Sequence, residues 1–142
     1  MERIVVVWLH VLGAAVWVGG LLYASHLVVP AVARGERACL RLLAGARTTA
    51  WVALALLIVT GLDNLRRARM DSPWLLGKLL LVLILLPLAA HRDFALLPRA
   101  TRAIDGGAAP TTALAGLRWL DRALLLLAAA VIFLGVGVVL GR

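Results

Sequence analysis

From residue 4 to residue 33 the chain carries no Asp, Glu, Lys or Arg. Only His10 and His26 interrupt its apolar, aromatic and small residues with an ionisable group other than Tyr23. An uncharged stretch of this length reads as a membrane-spanning helix. The same pattern returns at about 43–62, at about 74–94 and, without any charge, at about 123–141. A hydrocarbon layer of about 30 Å takes about 20 residues at roughly 1.5 Å per residue. The first segment (about 4–30) therefore spans with length left for tilt, and the fourth just fits. The second reaches only by recruiting Leu43 to Arg47, with Arg47 snorkelling to the headgroups. The pattern predicts an all-α, polytopic integral membrane protein, a single four-helix transmembrane bundle over residues 1–142.

Composition sharpens this reading. Hydrophobic residues make up 63% of the 142, and the mean hydropathy is +1.00. A soluble bundle is excluded because stretches such as 79–90 and 123–139 leave no wettable face. A cleaved signal peptide fits poorly too. Ala31-Val32-Ala33 resembles a cleavage site, but the apolar region before it far exceeds the usual ~7–15 residues. Small residues (Gly13 to Ala15, Gly19-Gly20, Ala128 to Ala130, Gly135, Gly137) mark faces where helices can approach closely in lipid. Pro87 predicts a bend in the third helix, one turn before His91.

The connections take most of the charge. Fifteen Lys and Arg against seven Asp and Glu leave a net +8, and the basic side chains meet lipid headgroups rather than nucleic acid. The first connection, about 31–42, leads into the second helix amphipathically through Leu40, Leu43 and Ala44. The second, 63–73, carries Arg66, Arg67 and Arg69. The third, about 95–122, with Gly106-Gly107 and Pro110, is expected to be a flexible loop. Arg34, Arg37, Arg41, Arg47, Arg92, Arg99, Arg102, Arg118 and Arg122 fall on one side. Arg3, Arg66, Arg67, Arg69 and Arg142 fall on the other. The bias places the first and third connections in the cytoplasm and the termini outside a bacterial-type cytoplasmic membrane. A lone Cys39 excludes an intrachain disulfide and a cysteine-pair metal site.

Ionisable groups within the spans are the candidates for chemistry. His10 and His26 are about 24 Å apart along one helix and cannot share a metal ion. His10 and Lys78 fall near one membrane face, His26 and His91 near the other. The last two are candidate axial ligands of a haem, or two ligands of a metal site; imidazole suits iron and copper. Packing between helices or an interfacial position is the plainer role for each histidine. His10 is otherwise a ligand or proton-handling group, with Lys78 a counter-group for an anion such as a haem propionate, or simply snorkelling. Trp8, Trp51, Trp74 and Trp119 read as interfacial anchors, while Trp17 and Tyr23 lie deeper, as packing or pocket lining. Asp121 is expected to pair locally with Arg118 and Arg122.

Several of these residues recur in one known order. His10 followed by Trp17-Val18-Gly19-Gly20, then Val29-Pro30-Ala31, Thr60-Gly61-Leu62, Leu76-Gly77-Lys78 and Leu97-Pro98 together resemble the membrane domain of the copper-resistance protein D family. The resemblance implies a four-helix membrane protein handling copper, without the extra helices and periplasmic partner domain of longer members. His10, Trp17, Gly20, Tyr23, Lys78 and His91 also resemble the bacterial four-helix membrane protoporphyrinogen oxidase, with His26 where an arginine is expected. That likeness implies haem b. The leading expectation is handling of copper or another transition metal by His10, His26 and His91. The alternatives are a haem b redox protein or oxidase, and a non-catalytic subunit stabilising a partner complex. Expected partners are membrane lipids and a second copy or larger membrane complex, with no nucleic acid.

Overall fold

The computed structural model describes residues 2–36, 38–66, 72–107 and 111–140. Of the features singled out above, Arg37, Arg67, Arg69, Pro110 and Arg142 lie outside them. The described residues are almost wholly helical, with no strand among them. They form an all-α bundle of four helices, each long and apolar enough to cross a membrane: Glu2–Ala33, Ala38–Arg66, Pro73–Asp105 and Thr111–Leu140. The chain is a multi-pass membrane protein.

Two of the four spans contain a break in the α-helical ladder. In the first span, α1 (Glu2–Tyr23) passes through a π-helical turn at Ala24–Val28 into α2 (Val29–Ala33). The second span is α3 (Ala38–Arg66). In the third, α4 (Pro73–His91) passes through a π-helical turn at Arg92–Leu96 into α5 (Leu97–Asp105). The fourth span is α6 (Thr111–Leu140). Each widened turn lets the following segment open on a proline, Pro30 or Pro98, whose missing N–H matters least in a first turn. The helix runs through Pro87 to His91, so the departure from α geometry falls after His91 and ahead of Pro98.

The expected flexible loop at 95–122 is mostly helix. Leu97 and Ala100 in α5, and Leu114 and Leu117 in α6, are buried. Their three-residue spacing makes a helical stripe that the bundle covers. Gly107, at φ +75°, turns the chain after α5, as Gly35, at φ +102°, does after α2; both need the left-handed freedom of glycine. The lead-in to the second span is helical as expected, with Leu40 and Leu43 buried, though Ala44 is exposed.

The two halves repeat one another. At one constant offset Trp17 corresponds to Leu85, Leu21 to Ala89, Ala24 to Arg92, Val29 to Leu97 and Val32 to Ala100, all buried. The π-helical turns and the prolines after them match at the same offset. In the second and fourth spans Leu40 corresponds to Leu114, Leu43 to Leu117 and Leu54 to Ala128, again all buried. The first span packs mainly on the second, as the third packs on the fourth. The first also touches the fourth, and the second the third. Two helical hairpins thus stand in an approximately two-fold arrangement, with the first and third spans on a diagonal.

Packing is uneven along this axis. The buried residues gather where the first and third spans end and the second and fourth begin. At the opposite end only Thr60 and Leu75 are buried, among the described parts of residues 2–12, 55–66, 73–84 and 129–140. Among the described residues, the bundle is tightly packed at one end, the closed end, and loosely packed at the other, the open end.

Candidate functional site

The open end holds His10 and Lys78, at matching positions in the two halves. A ring atom of His10, Cε1, lies 3.5 Å from where a Cβ on Gly61 would stand. The Lys78 ammonium lies 3.3 Å from where one on Gly135 would stand. Gly61 and Gly135 also correspond between the second and fourth spans. Each hairpin therefore lays one basic side chain against a glycine of its partner helix, in ordinary contact at Gly61 and more tightly at Gly135.

Thr60 orients the histidine. Its hydroxyl donates to the Leu56 carbonyl at 2.6 Å, so toward His10, 2.8 Å away at Nδ1, it can only accept. The shared bond therefore requires the hydrogen on Nδ1, which in the neutral imidazole leaves Nε2 with its lone pair. Thr60 is 5% exposed and His10 half-buried, so this arrangement is shielded from competing water. A histidine whose other nitrogen is fixed in this way has the form of a metal-ligating imidazole.

Lys78 is half-buried, at the same end of the bundle as His10 and at the position that matches it in the other half. No acidic side chain among the described residues pairs with it. An ammonium in an apolar setting without a counter-charge is costly, and it favours an anion arriving there.

The other two histidines stand elsewhere. His26 is exposed and turns its Nδ1 back to the Leu22 carbonyl at 3.1 Å. His91 is exposed at the end of α4. Neither imidazole is enclosed by the bundle, and neither has a described side-chain partner. No cluster of three or more His, Cys, Asp or Glu side chains suited to a metal ion occurs among the described residues.

A second polar group, absent from the sequence reading, sits in the closed end. Arg92 is 8% exposed, Asp93 5% and Asp121 0%. The Arg92 Nη1 donates to Asp93 Oδ1 at 2.5 Å, and its Nε donates to Asp121 Oδ1. Trp51 Nε1 donates to the other oxygen of Asp93 at 2.9 Å. Asp121 is thus paired with Arg92 of the third span and not with its helical neighbours. Arg118 is exposed, and Arg122 lies over the Trp119 ring at 5.6 Å. The reason is direction: Asp121 faces the core stripe between Leu117 and Leu124, whereas Arg118 and Arg122 do not.

Among the tryptophans, Trp8, Trp74 and Trp119 are exposed, as anchors would be. Trp51 instead turns inward as a donor to Asp93, with Phe94 stacked obliquely at 5.2 Å between ring centres. Trp17 is core and Tyr23 is exposed, so only the first packs within the bundle. Of the small-residue faces, Gly13 meets the second span, with Ala53 O at 3.3 Å from a notional Cβ. Gly19 and Gly20 face open space.

No family model, curated protein or solved structure matches the chain.

Proposed function

We propose that this protein binds haem b at its open end, with His10 Nε2 as the iron ligand and Lys78 as the partner of a haem propionate. The single observation that carries this reading is an imidazole with Nδ1 fixed by Thr60, at the same end of the bundle as an ammonium that no described acidic side chain neutralises. The donor set suits haem better than a bare ion. A porphyrin supplies four ligands of its own and needs one or two from the protein. Copper, which leads on the motif resemblance, needs several protein donors at one point. When bound, haem supplies one-electron redox chemistry. The protein's part is to hold the group, set the tautomer of its ligand and neutralise its carboxylate.

The test is the optical spectrum and metal content of the detergent-purified protein. A Soret band with stoichiometric haem is expected, lost in His10→Ala and kept in His26→Ala and His91→Ala. Stoichiometric copper without haem, released by His10→Ala, would overturn it in favour of the copper reading. Loss of haem in His26→Ala or His91→Ala to the same degree as in His10→Ala would place the site elsewhere.

The arginine bias supports an orientation with the termini outside a bacterial-type cytoplasmic membrane. Cys39, the single cysteine, lies at the start of the second span and is half-buried. In this orientation a membrane-impermeant maleimide leaves it unlabelled in spheroplasts and labels it in inverted vesicles. The reverse pattern would invert the topology.

A further inference from the structure

We propose that Asp121 binds an exchangeable proton on Oδ2, which makes the Arg92–Asp93–Asp121 group a proton site inside the closed end of the bundle. One guanidinium faces two carboxylates, leaving one uncompensated negative charge among groups that are 8% exposed or less. Burial without a counter-charge is costly. The hydrogen bonds show which oxygen carries the deficit. Both oxygens of Asp93 accept, one from Arg92 and one from Trp51. Asp121 accepts from Arg92 on Oδ1, while its Oδ2 is fully buried without a partner.

The surroundings narrow the choice of occupant. From the third span Asp121 faces Arg92 and Asp93. Trp51 of the second span acts through Asp93, and Arg47 is drawn away over the Phe94 ring at 5.5 Å. On its own helix Arg118 and Arg122 are exposed. The face that the first span turns inward here, Ala24, Val28, Val29 and Val32, carries no titratable side chain. His26 on that span is exposed and bonded to Leu22. A metal cation would need several oxygens together, and those of Asp93 are already engaged. A water molecule would supply a donor but no charge. A proton supplies the charge, on the oxygen that has none of the donors.

The repeat argues that this group is not there to hold the layer together. At the matching positions of the other half stand Ala24 in place of Arg92, and Arg47, exposed, in place of Asp121. That half packs the same layer without buried ions. Charged groups kept within a membrane bundle and not required by its packing mark proton and ion pathways.

Infrared difference spectroscopy in H2O and D2O tests this on the whole protein in detergent at neutral pH, with the aspartates carboxyl-13C-labelled. A C=O stretch of a protonated aspartic acid is expected. It moves with the label, shifts on deuteration and is missing in Asp121→Asn. That variant is the isostere of the protonated acid and is expected to keep the wild-type melting temperature. Absence of any protonated aspartate band in the wild type overturns the proposal, whether or not the variant folds. So does a melting temperature that follows sodium concentration at fixed pH and ionic strength. Trp51→Phe alters Asp93 and serves as the second variant: a large shift of the band there would assign the proton to Asp93 and overturn the proposal, and an unmoved band supports it.

Discussion

Replacing Thr60 with valine removes one oxygen and almost no volume, yet it takes away the group that fixes the His10 tautomer. In the native arrangement the Thr60 hydroxyl donates to Leu56 at 2.6 Å and accepts from His10 Nδ1 at 2.8 Å. The helix survives the loss, since the Leu56 carbonyl keeps its backbone partner within α3. His10 fares worse. Leaving a shielded donor unpaired costs up to about 1–3 kcal/mol, and the ring regains a partner through Nε2–H only by giving up the lone pair that the iron needs. Loss of the partner behind a ligating histidine typically lowers metal affinity about 10–100-fold. At about 1.4 kcal/mol per tenfold, that is roughly 1.4–2.8 kcal/mol, the same range reached from the hydrogen bond. Thr60→Val is therefore expected to weaken haem binding about 10–100-fold, read by Soret titration of the haem-free protein in detergent. Thr60→Ser, which keeps the hydroxyl, restores most of it. Haem affinity within twofold of wild type in a folded Thr60→Val protein would refute the orienting role and remove the main support for His10 as ligand.

Three further outcomes follow from the same geometry. Lys78→Gln removes the charge at the same end as His10 and is expected to weaken haem binding about tenfold while leaving the Soret maximum in place; an altered maximum would mean that Lys78 touches the iron. Gly137→Ala drives a Cβ into the Trp74 indole and is expected to destabilise the third and fourth spans by about 1–3 kcal/mol through overpacking. Gly19→Ala, with nothing within 4 Å, leaves the melting temperature unchanged, so equal melting of the two variants would contradict the packing. Trp51→Phe removes the indole donor to Asp93 at 2.9 Å and is expected to lower stability by about 1.5–3 kcal/mol, the range for hydrogen bonds to charged groups, as a fall in the thermal midpoint in detergent.

The four spans were legible because apolar runs of membrane length have one common solution, and His10 and Lys78 stood out as the ionisable groups within them. What hid was whatever depends on which helix faces which. Asp121 has Arg118 and Arg122 within one turn, and sequence proximity favours them. Only the burial of Leu117 and Leu124 on either side shows that it points to the core, where Arg92 waits on another span. Asp93 and Trp51 were obscured alike, one inside a presumed helix end and the other by the habit of tryptophan at interfaces. The helices at 97–105 and from 111 carry enough arginine and glycine to look like loop, although Leu97, Ala100, Leu114 and Leu117 keep the helical stripe. Thr60 was visible as part of a threonine-glycine pair, but nothing local joins it to His10, fifty residues earlier.

The repeat was the signal that would have found more. Few residue types are shared between corresponding positions, among them Pro30 and Pro98, Leu40 and Leu114, Leu43 and Leu117, and Gly61 and Gly135, so identity reveals the repeat weakly; burial and helix geometry reveal it clearly. Once the halves are aligned, His10 and Lys78 become the same place in two copies of one hairpin, each laid over a glycine. A site between them lies between two corresponding positions, yet its two sides differ: a neutral ring with a lone pair on one, a cation on the other. An occupant that matches must present an acceptor for a nitrogen lone pair and, beside it, a negative charge. A metal ion satisfies the first condition and is repelled by Lys78. A simple anion satisfies the second and gains nothing from a lone pair held toward it. A metalloporphyrin with carboxylate arms satisfies both, because its metal and its charges are separate parts of one molecule. Among the described residues the spans bury only Thr60 and Leu75 at this end, and exposed apolar side chains such as Val7, Trp8 and Val11 surround His10, a setting that suits an apolar macrocycle.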